Sequence, residues 1–431
     1  MNLPLVVFFA CFVLTFVLRI PIALGMMMSA IFYFSLASGP ATGVGMLANQ
    51  FLSNMNVQFI LIAVPLFIFA AKVMNSGDIT EMVFRFANTL VGRWRGGMGH
   101  VNVIASLIFS GMTGSAVADA SGLGIMEIET MRKHGYDDGF SCGITAASAT
   151  IGPVFPPSIP MVFYSMLSGA SIGALFMGGM VPGVIMAVAL MLYVAFIAGR
   201  RGYPKGERYG LRLFVKNTLI AFPALLTPVI LLGGIYTGVV TPTEAGALAG
   251  TYGLLIAFFV YRVMGFRKLL EILVDTVKAT GTVALIVGAA YAFSYIVAIE
   301  RVPDMFAGFL LTITANKYVL LFVVNVLFLI LGMFIDTMAI TLVFIPMVLP
   351  LVEQLGIDLV HFGVVIVLNM MIGLTTPPFG VLLFIVSGIS KTPLKDVIRE
   401  CLPMTVVLIA VLLLITYVPE IVLFVPRLLG Q

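Results

Sequence analysis

The sequence predicts an all-α polytopic membrane protein built as two inverted halves. Three observations carry that prediction: an apolar composition, one internal offset that pairs Gly and Pro residues of the two halves, and charge clusters that alternate along the chain. Of the 431 residues, 61% are hydrophobic and 10% charged, and the mean hydropathy is +1.15, which no soluble domain of this length shows. Runs of about 20 apolar residues, the length needed to cross hydrocarbon, include Ile172 to Ala198, Leu213 to Ile235 and Val406 to Val425. Leu3 to Leu18 is apolar but lacks a basic n-region and continues through Arg19-Ile20-Pro21 into a second apolar run, so a retained span is expected rather than a cleaved signal. The net charge of +4 reads as a topology signal, and no nucleic-acid partner is expected. Cys11, Cys142 and Cys401 are scattered in apolar surroundings, which argues against a disulfide framework or a metal site.

Inverted repeats are a recurring build of secondary transporters and leave traces in sequence. Adding 221 carries Pro21 to Pro242, Gly25 to Gly246, Gly111-Met112 to Gly332-Met333, Gly135 to Gly356, Asp137 to Asp358 and Pro182 to Pro403. The same step carries Ile151-Gly152 to Ile372-Gly373 and Pro156-Pro157 to Pro377-Pro378. So many matches in one register indicate a duplication, with a first repeat over 1–200 and a second over 211–431.

Charge then predicts orientation. No charged residue lies between Arg19 and Lys72 or between Asp138 and Arg200, so the turns there are expected outside. The clusters Arg85/Arg93/Arg95, Arg132/Lys133, Arg200/Arg201/Lys205/Arg208/Arg212/Lys216, Arg262/Arg267/Lys268 and Lys391/Lys395/Arg399 are expected to be cytoplasmic. A segment over 97–132 that leaves a cytoplasmic cluster and returns to one must enter and reverse, a re-entrant hairpin with its tip near Gly111 to Ser115. Its counterpart over 315–353 is flanked by acidic residues and is expected to enter from the outside. The count places the N-terminus outside. Amphipathic stretches over 78–94 and 266–278 precede the hairpins and are expected as loop helices or as arms along the membrane surface.

After each hairpin the pattern Ile-Gly-x-x-x-Pro-Pro recurs, predicting broken helices over 139–168 and 359–389, since Pro removes a backbone donor and Gly permits unwinding. Unwound backbone at membrane depth survives where it lines a cavity, and there its carbonyls and half-helix ends bind ions. Hydroxyls of Thr113, Ser115, Thr375 and Thr376, with carbonyls of Gly152, Phe155, Gly373 and Thr376, form a set suited to Na⁺. Half-helix N-termini near Ser158 and Phe379 suit an anionic solute. Asp336, in the second tip and aligned with Ser115, is the strongest ionisable candidate at membrane depth. Asp119 is expected mainly in a structural role, and Glu244, after Thr241-Pro-Thr, as a helix cap.

At these motifs the chain resembles the large membrane subunit of tripartite ATP-independent periplasmic (TRAP) transporters, over essentially its whole length. The resemblance rests on Gly111-Met-Thr-Gly-Ser-Ala-Val-Ala-Asp119, Ile151-Gly-Pro-Val-Phe-Pro-Pro-Ser-Ile-Pro160, Gly332-Met-Phe-Ile-Asp-Thr337 and Gly373-Leu-Thr-Thr-Pro-Pro378. It implies an elevator-type carrier of the ion-transporter-superfamily kind, with two or more coupling Na⁺ ions. Transferred through the motifs, it implies one Na⁺ site at Thr113, Ser115, Gly152, Phe155 and Pro157 and another at Gly332, Gly373, Thr376 and Phe379. Substrate contacts are then expected at Ser115, Ser158, Asp336 and Thr375. The resemblance further implies a small four-helix membrane partner, a periplasmic binding protein that delivers an organic acid, with a lean to sialic acid, and a bacterial inner membrane. Because Met1 starts almost directly in a span, the small partner is expected as a separate chain.

Other chemistry finds no support. No His-Glu-x-x-His, Walker or dinucleotide motif occurs, and His100, His134 and His361 are isolated, so an enzyme is not expected. The alternatives are an ion or solute channel, which calls for ladders of polar residues where the sequence has isolated polar tips, and a Na⁺- or H⁺-coupled carboxylate carrier that works without a binding protein.

Overall fold

The computed structural model describes residues 2–18, 20–55, 62–76, 78–206, 209–313 and 316–430; Arg19 and Arg208 of the charge pattern and the expected hairpin start at Ala315 lie outside the described residues. Among those described, no strand occurs beyond one isolated bridge between Arg95 and Lys205. Among the described residues seven helices are long and apolar enough to cross a membrane, and the chain is an all-helical multi-pass membrane protein.

The first half holds α1 (Leu3–Val17), α2 (Ile22–Ser38), α3 (Pro40–Met55), α4 (Ala63–Met74), α5 (Asp78–Val91), α6 (Gly97–Thr113), α7 (Ala116–Lys133), α8 (Asp138–Ala149), α9 (Ile159–Ser168) and α10 (Ile172–Arg201). The second holds α11 (Leu211–Tyr236), α12 (Pro242–Leu255) with a π-helical end (Ile256–Val260), α13 (Phe266–Ile299), α14 (Val302–Ile313), α15 (Lys317–Phe334), α16 (Thr337–Gln354), α17 (Leu359–Gly373), α18 (Val381–Ser390), α19 (Leu394–Tyr417) and α20 (Glu420–Leu428). At the 221-residue offset α6 to α9 fall on α15 to α18.

Local chemistry sets the ends. Thr241 and Glu244 form a reciprocal capping box at the start of α12, as the Thr-Pro-Thr-Glu run predicts. Gly114 closes α6 in the left-handed conformation, φ +61°, which costs a glycine little. Gly135 and Gly356, one offset apart, also have positive φ.

The second half departs from expectation before its hairpin. The stretch 266–278 is not a separate helix. It is the start of the 34-residue α13, which contains no proline to stop it and runs for about 50 Å at 1.5 Å per residue. The equivalent length of the first half holds α3 and α4. Adding 221 to α5 gives 299–312, so the short amphipathic helix paired with α5 is α14.

Packing groups the helices. α1 packs on α2 and α2 on α3, α13 packs against α2, α3 and α4, and α12 packs against α4 and α11. The hairpins and broken helices cross between halves: α18 packs on α7, α9 on α16, and α8 on α19. Thus the repeats interleave around one centre, with α5 bridging α6 and α11.

Candidate functional site

The centre is where four helices begin. α7 starts after Ser115, whose Oγ accepts from Ala118 N (3.3 Å), and α9 starts after Ser158, whose Oγ accepts from Met161 N (3.2 Å). α16 starts after Asp336, with Oδ2 accepting from Met338 N (2.9 Å), and α18 starts after Gly380. These are cap positions for Ser and Asp because a short side-chain oxygen satisfies an orphan N–H. Between the four ends lies a cavity of about 100 Å³ lined by Gly114 to Val117, Pro153, Ile159, Pro160, Asp336 to Met338, Met371, Leu374 and Val381. Among the described residues no Lys, Arg or His lines it.

Close backbone approach ties each tip to its broken helix. A Cβ on Gly114 would sit 2.5 Å from the Pro157 carbonyl oxygen, and one on Gly152 would sit 3.5 Å from the Ser115 carbonyl carbon. In the second half, a Cβ on Gly373 would sit 2.6 Å from both the Cα and the carbonyl carbon of Gly332. The Pro156-Pro157 and Pro377-Pro378 bonds are both cis.

The structure therefore brings Thr113, Ser115, Gly152 and Pro157 into one region and Gly332, Gly373 and Thr376 into another. Among the described residues no hydrogen bond reaches the carbonyl oxygens of Gly152, Phe155, Pro157 or Phe379. Those of Gly373 and Thr376 each accept one, from Thr376 N and Gly380 N (3.0 and 3.1 Å), and keep a second lone pair. The Thr113 hydroxyl bonds back to Phe109 O (3.3 Å) and the Thr376 hydroxyl to Ile372 O (2.8 Å). The Phe155 ring packs on Gly183, so only its carbonyl is available. Oxygen-rich, acid-free clusters of this kind suit a hard monovalent cation better than a transition metal, and no group of three or more His, Cys, Asp or Glu side chains able to hold a metal occurs among the described residues.

The expected solute contacts divide. Ser115 and Asp336 line the cavity, and Asp336 is exposed to it. Thr375 and Ser158 do not line it: both are buried, and the Thr375 hydroxyl donates to Ile372 O (2.9 Å) and accepts from Thr405 (3.3 Å). Phe379 is exposed, with its ring 5.8 Å from that of Phe334. Asp119 is buried behind the tip. Glu244 caps α12 as expected.

The residue types alone did not reveal two buried polar networks beside the site. Asn369, one offset from Ser148, donates to Asn325 (2.9 Å), which donates to Thr416 (2.9 Å). In the first half Asn102 donates to Glu127 (2.9 Å) and Thr145 (2.7 Å). The available signal was an amide or acid inside an otherwise apolar run.

Residues 8–421 match the family described as "Tripartite ATP-independent periplasmic transporter, DctM component". The chain is 44% identical over 391 residues to the sialic acid TRAP transporter large permease protein SiaM of Vibrio cholerae serotype O1, covering 90% of this chain and 91% of that one. It is 39% identical over 410 residues to the sialic acid TRAP transporter permease protein SiaT of Haemophilus influenzae, covering 95% of this chain and 66% of that longer one. A C4-dicarboxylate TRAP transporter large permease protein of Pseudomonas aeruginosa is 35% identical over 373 residues, 86% of this chain and 87% of that one. Among solved structures, that of the Alcanivorax borkumensis YdaH transporter shares the fold with a TM-score of 0.66 at 13% identity, over 89% of both chains.

Proposed function

Because the chain belongs to the DctM family of tripartite ATP-independent periplasmic transporters, we propose that it is the substrate-translocating subunit of a Na⁺-coupled importer of an organic acid. The observation that carries this reading is the convergence of four helix N-termini on one cavity that no basic side chain lines among the described residues. Each N-terminus presents about half a positive charge and free N–H groups, which suits a carboxylate. Na⁺ held at Ser115, Gly152 and Pro157 on one side, and at Gly332, Gly373 and Thr376 on the other, would supply the remaining positive charge. Their binding and that of the solute then favour each other, which is coupling in the thermodynamic sense.

The interleaved hairpins and broken helices form the moving body and α1 to α4 with α11 to α13 the fixed one, giving an elevator. A small membrane subunit and a periplasmic binding protein complete the assembly in a bacterial inner membrane, with the N-terminus periplasmic. Similarity to SiaM and SiaT favours a sialic acid. Proteoliposomes holding the chain, its small subunit and its binding protein are expected to accumulate radiolabelled sialic acid under an inward Na⁺ gradient and not under an equal K⁺ gradient. Equal uptake under both gradients would remove the coupling from this proposal.

A further inference from the structure

Glu127 on α7 is 1% exposed, buried in the interior of the first hairpin. Its Oε2 accepts from Asn102 Nδ2 (2.9 Å), while Oε1 has no hydrogen-bond partner. An ionised carboxylate buried without a cation loses several kcal/mol of hydration. Among the described residues no cation pairs with it.

None of the described titratable or charged side chains on the elements packed against α7 forms an ion pair with Glu127. On α6 there is His100, whose ring stacks edge-on with Trp94. On α8, Asp138 pairs with Arg132 (2.6 Å), and the buried Cys142 thiol donates to Ser390 Oγ (3.1 Å). On α5, Glu81 and Arg85 pair with each other at the surface, and Asp78 stands at the start of that helix. The span of α18 has no charge, and Lys391 just beyond it is exposed. On α7 itself Glu129 and Lys133 are exposed, and Asp119, also 1% exposed, adds a second acid whose two oxygens have no donor.

The surroundings leave room for a proton but not for a metal's shell. A Cβ on Gly124 would sit 2.8 Å from Thr145 Cγ2, so α7 and α8 are in direct contact beside Glu127. Asn102 is already committed: its Nδ2 serves Thr145 and Glu127, and its Oδ1 accepts from Ser148 (2.8 Å). Thr145 lies against the carboxyl and, while accepting from Asn102, keeps its own O–H and one lone pair, so it can serve the acid in either protonation state. Nor does the hairpin fold demand the acid. One offset on, Glu127, Asn102 and Thr145 become Val348, Val323 and Ile366, and the second hairpin packs with an apolar interior there.

We propose that Glu127 is a proton-binding site: at neutral pH the first hairpin carries it as a neutral carboxylic acid, and its ionisation at alkaline pH weakens the packing of α7 on α8. The test is infrared spectroscopy of the full chain in lipid, prepared with ¹³C-carboxyl glutamate. Glu127 is the one glutamate buried among the described residues, so an isotope-shifted carboxylic-acid band at pH 7 is expected, lost on alkaline titration. Glu127→Gln should remove that band, keep the thermal midpoint at pH 7 and abolish its alkaline fall. Absence of a labelled carboxylic-acid band in the wild-type protein at pH 7 overturns the proposal even if the variant does not fold, and so does a band that survives in a folded Glu127→Gln protein.

Discussion

Gly373→Ala is expected to reduce uptake to background in reconstituted proteoliposomes, and Gly332→Ala to reduce it less. At Gly373 the added methyl meets two backbone atoms of Gly332 at 2.6 Å, and backbone has no rotamer through which to yield. α15 and α17 must separate, an overpacking cost of about 1–3 kcal/mol placed directly on carbonyls assigned to Na⁺. At Gly332 the nearest atom is Gly373 Cα at 3.1 Å, which a shift of a few tenths of an ångström relieves. Gly388→Ala, in α18 with no atom within 4 Å, is the matched control and should leave uptake unchanged. Thermal unfolding of each purified variant separates misfolding from loss of the site.

Asp336→Ala is expected to lower uptake by about tenfold or more. The side chain caps α16 through Met338 N and faces the cavity, so alanine removes both contributions: a cap, about 1 kcal/mol, and a charged acceptor, whose hydrogen bonds are worth about 1.5–3 kcal/mol each. Asparagine caps as well as aspartate. Asp336→Asn should therefore restore the thermal midpoint while leaving uptake low, if hydroxyl groups of the solute donate to the carboxylate. Recovery of uptake by the Asn variant would reduce Asp336 to a cap.

The motifs show how much of this was legible. Gly and Pro report backbone, and backbone is what the two tips are made of, so the repeated Ile-Gly-x-x-x-Pro-Pro pattern located both broken helices and the offset paired Ser115 with Asp336. Side-chain direction within an unwound turn is not encoded by residue type. Thr375 and Thr376 are adjacent hydroxyls in one motif, yet Thr375 faces Thr405 in the core. The 266–278 arm failed for a related reason: amphipathic charge marked where a helix meets the surface, but only a proline or an unwound pair would have ended it, and α13 has neither. The Asn102–Glu127 network needed three helices to assemble, and no spacing within one segment announces that.

The two tips are proposed to bind Na⁺ through Ser115, Gly373 and their neighbours. Binding there is measured most directly by the thermal-unfolding midpoint of the purified chain in NaCl against choline chloride at equal ionic strength, for the wild-type, Ser115→Ala and Gly388→Ala proteins. Ligand at a hundredfold its dissociation constant stabilises a fold by about 2.7 kcal/mol. The predicted result is a Na⁺-specific rise in the wild-type protein, kept by Gly388→Ala and diminished by Ser115→Ala; equal midpoints in the two salts for the wild-type protein would contradict it.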